Sequence, residues 1–198
     1  MKKINLQNST TVRMSFNAAT DPYSIEELED GSRRVHMGAV GGVDQWSDLA
    51  QSRENGSLML WGTNELEKRM EEAIIHHFFE AKSRSDDDQI AFFEAELLQH
   101  PALSFSFKKE LVKKICVRTK RPAGKELDSL QSGLKSIMNW RNALAHGTMS
   151  LDGRKGVVLS YYANGQRELV LDEQFWENLE AVFASTKELL RMLPGVKA

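Results

Sequence analysis

Cysteine is nearly absent. Cys116 is alone among 198 residues, which excludes an internal disulfide and any multi-cysteine metal site. Its place in an apolar pattern marks it as a buried thiol rather than a nucleophile. Charge of one sign is also lacking: 26 Lys and Arg against 28 Asp and Glu leave a formal net charge of -2. Such a weak whole-molecule field does not steer a polyanion, so a histone-like binder is excluded and any nucleic-acid contact must come from a local basic patch. Long apolar runs are missing. Ala73 to Phe79, one of the longest, is broken by His76 and His77, far short of a bilayer span. The polar start, Met1 to Thr11, has no apolar core of a signal peptide, so the expectation is a soluble, cytoplasmic protein with no membrane partner. Ligand-spaced histidines are missing too. His76 and His77 are adjacent and point about 100° apart on a helix, and His36 and His100 have no partner at metal-ligand spacing. No metal and no cofactor are expected.

What is present suits one folded domain of ordinary size with room for an appendage. Hydrophobic residues make up 41% and charged residues 27%, inside the globular range. Composition changes near Trp61. Before it, Ser, Thr, Asn, Gly and acids dominate, and apolar residues come in short alternating sets: Val12, Met14 and Phe16, then Val35 and Met37, then Leu58 and Leu60. This predicts an irregular N-terminal extension with short strands over residues 1–62. Residues 63–198 read as a helical domain. Asn64 with Glu67 forms a capping box for a first helix to about Arg84, with Leu66, Met70, Ile74 and Phe78 at helical spacing. Asp86 to Asp88 open a second helix that runs until Pro101, and a third spans Ser106 to Arg118. The fourth, Glu126 to about His146, is the most regular, and Gly147 follows it as a helix-ending residue. Val157 to Tyr162 and Arg167 to Leu171 flank Asn164-Gly165, the signature of a two-residue hairpin turn. Asp172 caps a last helix that Pro194-Gly195 stops. The fold expected is mainly α: a bundle of about five helices with one β-hairpin before the last helix, plus the extension.

The end of the fourth helix carries the chemistry. Its apolar stripe runs through Leu127, Leu130, Leu134 and Ile137 to position 141, then Leu144, and position 141 is arginine. A guanidinium on that stripe needs a carboxylate or an anion, because an unpaired buried charge is very costly. Glu72, Glu80 and Glu94 are candidate acids for a purely structural bridge. Asn142 and His146, four apart, share a helix face; Arg141 and His146 diverge by about 140°, which a long side chain and the chain exit at Gly147 can bridge. His146 either does no more than complement the negative helix end or supplies a titratable proton beside a cation and an amide.

The run from Trp140 through Arg141, Asn142, Ala143, Leu144 and Ala145 to His146 and Gly147 resembles the RNxxxH signature of the HEPN superfamily (higher eukaryotes and prokaryotes nucleotide-binding). The upstream segment from Leu103 to Ile115 is similar to members as well, and the resemblance covers residues 64–193. It implies a HEPN-like helical bundle that forms a homodimer, with two motifs facing one cleft. It further implies a metal-independent endoribonuclease of toxin-antitoxin or phage-defence type, with RNA as substrate and an antitoxin or other regulatory protein as partner. By position, Arg141 and His146 are the catalytic pair and Asn142 the polar helper. The alternative under the same resemblance is a non-catalytic dimer that binds nucleotide, RNA or a protein partner. Metal-free RNA cleavage needs a base for the 2'-hydroxyl, an acid for the leaving 5'-oxygen and a cation for the phosphorane charge. Two histidines and two arginines across a two-fold axis meet that need. Lys109, Lys113, Lys114, Arg118, Lys120 and Arg121, with neighbouring Lys108 and Lys125, form the concentrated basic run of the chain. It is read either as an RNA track or as a solvated helix face.

Overall fold

The computed structural model describes residues 23–27, 33–37, 43–79, 87–100 and 102–196. Strands β1 (Tyr23–Glu27) and β2 (Arg33–Met37) pair antiparallel, Tyr23 opposite Met37 and Glu27 opposite Arg33. Val35 and Met37 are thus in a strand, as their alternation predicts. Val12, Met14 and Phe16 lie outside the described residues.

Leu58 and Leu60 are not in a strand. They belong to α1 (Val43–Phe79), 37 residues and about 55 Å long at 1.5 Å per residue. This helix runs straight through the Asn64 capping box and the composition shift at Trp61. A buried stripe holds it down: Leu49, Ser52, Gly56, Met59, Thr63, Leu66, Met70 and Ala73 follow one another at alternating steps of three and four. Ser52, Gly56 and Thr63 interrupt its hydrophobicity without interrupting its burial. Thr63 donates its hydroxyl to the Met59 carbonyl at 2.9 Å, and Asn55, also buried, accepts from Gln51 Nε2 at 3.1 Å. The expected end near Arg84 falls outside the described residues.

Helix α2 (Asp87–Phe92) passes into a π-helical turn, Phe93–Leu98, where the Gln99 N–H reaches the Glu94 carbonyl five residues back at 3.0 Å. Within that turn Leu98 is fully buried and Leu97 is exposed. Helix α3 (Phe105–Thr119) starts where Ser104 Oγ accepts from the Phe107 N–H, and ends with Lys120 in the left-handed region. Helix α4 (Lys125–His146) begins within one residue of expectation and ends at His146 as predicted. Helix α5 (Glu173–Arg191) is capped by Asp172, whose Oδ1 accepts from the Phe175 N–H at 2.8 Å. Trp176, Leu179, Phe183, Thr186 and Leu190 form its buried stripe.

The predicted hairpin is present as β4 (Gly156–Tyr162) and β5 (Gln166–Val170), but Tyr162 stands opposite Gln166, so its loop has three residues, Ala163, Asn164 and Gly165, rather than the expected two; Asn164 and Gly165 are both at positive φ (53° and 122°). A further strand, β3 (Thr148–Asp152), pairs with β4, giving a three-stranded antiparallel sheet in the order β3-β4-β5. Its turn is set by Asp152, whose Oδ1 accepts from the Arg154 and Lys155 N–H groups at 2.8 and 2.9 Å. Asp152-Gly153 was the available sequence signal for it. The chain is therefore mainly helical with a small sheet before the last helix. Helix α4 packs on α5, α1 packs on α3 and α4, and the sheet rests on α1 and α4. Gly133 lets α4 and α5 approach closely: a Cβ there would stand 2.2 Å from Thr186 Oγ1. No helix among the described residues is long and apolar enough to cross a membrane.

Candidate functional site at the end of helix α4

Three contacts position the last two turns of α4. Trp140 meets Phe175 of α5 edge to face at 5.8 Å, and Phe175 in turn meets Trp176 at 4.9 Å. Ala143 is buried, and Leu144 with Met149 of β3 closes on Gly56 of α1. Gly147 then leaves the helix in extended geometry (φ -90°, ψ 169°), its N–H bonded to the Ala143 carbonyl at 2.7 Å. The glycine ends the helix as expected, and what requires it is space rather than left-handed backbone. A Cβ at 147 would lie 2.5 Å from the Ala143 carbonyl oxygen, 2.7 Å from Leu159 Cδ1 and 2.9 Å from the Ser160 carbonyl oxygen. The helix end is thereby held against β4.

Arg141 is half-buried on the stripe that elsewhere carries Leu130, Leu134 and Ile137. Among the described residues no side chain forms an ion pair or hydrogen bond with it; neither Glu72 nor Glu94 makes the structural bridge weighed above, and Glu80 lies outside the described residues. Asn142 and His146 are exposed and share one face of the last turn. The result is a cation, an amide and an imidazole on two adjacent faces of one helix end, open to solvent. Sequence reasoning missed the neighbouring sheet end. The ladder pairs Thr148 with Ser160 and Tyr161 with Arg167, so the sheet end bearing Tyr161, Tyr162 and Arg167 is the one that meets the end of α4. Tyr162 is 83% exposed, the most open large hydrophobic side chain among the described residues. The Tyr161–Arg167 pairing belongs to the predicted hairpin; the unpredicted strand β3, which follows α4 directly, is what sets that sheet end beside the helix.

The basic run divides in two. Lys108 is buried: its Nζ donates to Glu67 Oε1 and to Glu71 Oε1 of α1, each at 2.6 Å. Burial depresses its pKa, but the two carboxylates outweigh burial and hold it above the ordinary lysine value. It clamps α3 to α1 and is unavailable to a polyanion. Lys113, Lys114, Arg118, Lys120 and Arg121 are exposed, with Phe107 and Val117 also exposed on α3. Lys109 pairs with Glu110 at 3.1 Å, and Lys109 first, then Lys113 and Lys114, hold the Glu110 carboxyl below its ordinary pKa, a sign of positive potential over this face. Lys120 and Arg121 precede the start of α4, whereas His146 ends it, and 22 residues of helix place about 33 Å between the two ends. Within one chain, then, these two residues do not border the Arg141–His146 site.

Cys116 is fully buried, and burial pushes its thiol up to about 11, which removes it from nucleophilic chemistry at neutral pH. Among the described residues no group of three His, Cys, Asp or Glu side chains is placed to hold a metal ion. No protein-family model, curated protein or solved structure matches this chain.

Proposed function

We propose that the protein is a metal-independent endoribonuclease of the HEPN type, acting as a homodimer in which the Arg141, Asn142 and His146 sets of two chains share one RNA-binding cleft. The observation that carries this reading is Arg141: a half-buried guanidinium on an apolar stripe with no acid paired to it among the described residues. Leaving such a group without a counter-charge is unfavourable, and an arriving phosphate removes the penalty through a planar two-pronged contact. His146, exposed at the same helix end, exchanges protons, one copy acting as base and the other as acid. Asn142 orients the phosphate or ribose. The exposed lysines and Arg118 along α3 attract the strand over a longer track than the cut itself. A toxin or phage-defence setting, with a regulatory protein as partner, goes with this activity.

Cleavage of single-stranded RNA by the full chain is the test. His146→Ala and Arg141→Ala each lower the rate about a hundredfold or more with unchanged circular dichroism, and Arg141→Lys rescues poorly. The product ends in a 2',3'-cyclic phosphate, activity survives EDTA, and a 2'-deoxy nucleotide at the cut blocks it. Sedimentation gives a dimer. Abolition by EDTA, or unfolding of Arg141→Ala, overturns the proposal in favour of a structural role for Arg141.

A further inference from the structure

A groove of about 490 Å³ lies between α1 and α5, and none of its lining residues belongs to the Arg141–His146 site. Its volume is in the range of small-molecule pockets. It exists because Gly62, Ala181 and Ala184 withdraw side-chain volume where the two helices face each other. Trp61, Leu66 and Phe183 supply an apolar, partly aromatic lining. The core stripe of α5 is therefore not its whole story: a second face, spaced at Glu177, Ala181, Ala184, Lys187 and Arg191, looks into the groove.

The sign of the groove cannot be read by counting, since Glu65, Glu177, Glu180 and Glu188 outnumber Arg69, Lys187 and Arg191. The pairing of its charges is more informative, and Lys187 stands out. Burial lowers the Lys187 pKa first, then repulsion from Arg69 and Arg191, which exceeds the attraction of Glu188 and Glu65. Glu188 and Arg191 are paired with each other, and Glu180 and Arg69 each have a partner of their own. Lys187 makes no ion pair or hydrogen bond with its side chain among the described residues. A half-buried ammonium with no acid bonded to it among the described residues, on the wall of an aromatic-lined groove, lacks an anion.

We infer that the groove between α1 and α5 binds a small organic anion with a flat apolar body, an aryl carboxylate, sulfonate or phosphate. The Lys187 ammonium holds its acidic head, and Trp61 and Phe183 take its body. The contact to Lys187 is a charge-assisted hydrogen bond, and the ring surfaces contribute through apolar burial. This site is independent of RNA cleavage and stands whether or not the nuclease reading does.

The test uses the full chain and 8-anilinonaphthalene-1-sulfonate as probe, followed by its fluorescence. Binding saturates at one probe per chain. Lys187→Glu weakens it about tenfold or more, Lys187→Arg keeps it within about threefold, and Ala184→Trp, which fills the groove, abolishes it. Lys135→Glu, an exposed charge change on α4, leaves it unchanged. Binding that ignores both Lys187→Glu and Ala184→Trp, or that Lys135→Glu weakens equally, overturns the inference; circular dichroism of each variant excludes unfolding as the cause of a loss.

Discussion

At the scale of single residues, the end of α4 is governed by one arginine and one glycine. Arg141 takes a place on the apolar stripe that leucine or isoleucine fills elsewhere, which trades burial for a charge held ready at the helix end. Gly147 lets the chain turn from helix to strand without standing off from β4. Gly147→Ala is expected to cost about 1–3 kcal/mol, because two of the three atoms a Cβ would strike are backbone carbonyl oxygens that cannot swing aside. Gly153→Ala, where a Cβ meets nothing within 4 Å, is the matched control and should change stability by less than about 0.5 kcal/mol. Urea denaturation of both variants checks this. Equal and small effects would remove the close approach as a constraint on the site.

At the scale of elements, the attachment of α3 to α1 is ionic as well as apolar. Phe105, Val112, Ile115 and Cys116 share the buried stripe of α3 with Lys108, whose side chain is 5% exposed between Glu67 and Glu71. Removing the cation leaves two partly buried carboxylates facing each other. Lys108→Ala is therefore expected to destabilise by about 3 kcal/mol, and adding Glu67→Gln with Glu71→Gln to return a good part of the loss. A double-mutant cycle by chemical denaturation measures the coupling, and a coupling near zero would mean that the stripe alone holds α3 in place. The lesson for the basic run is that a lysine's position on the helix, not its membership in a charged stretch, decides whether it meets a ligand or a neighbouring helix.

For the whole molecule, one core joins the four longer helices and the sheet, and its response to pH follows from two groups inside it. Cys116 holds its proton to about pH 11 in the folded state against an ordinary value of 9.0, and Lys108 holds its proton above 10.5. Both are raised, so the folded chain binds protons more tightly than the unfolded chain, and the associated stability is complete below pH 9 and declines as pH rises. The decline runs first between pH 9 and 11 through Cys116, amounting to about 3 kcal/mol, then beyond 10.5 through Lys108. Urea midpoints measured from pH 8 to 11 should fall along this course, and Cys116→Ala should flatten its first part whatever it does to the baseline. A Cys116→Ala curve parallel to that of the wild type would assign the decline to other groups.

The sequence by itself determined the local elements whose signals are short-range. Asp172 caps α5, Asn164-Gly165 marks the β4–β5 hairpin, and the regular leucines of α4 mark both its ends within a residue. It also placed Arg141 on a stripe where its charge had to be explained. Tertiary structure decided what depends on partners distant in the chain. The amino-terminal half of α1 is helical because Ser52, Gly56 and Thr63 are acceptable in a stripe covered by other elements, which no local hydropathy can announce. Strand β3 exists because β4 is there to pair with it, and that pairing brings Tyr162 and Arg167 to the end of α4. Lys108 left the basic run for a buried pair because Glu67 and Glu71, 41 and 37 residues away, lie across from it. Propensity and capping act over a turn or two of chain, whereas burial and charge pairing are properties of a surface, and only the folded chain has one.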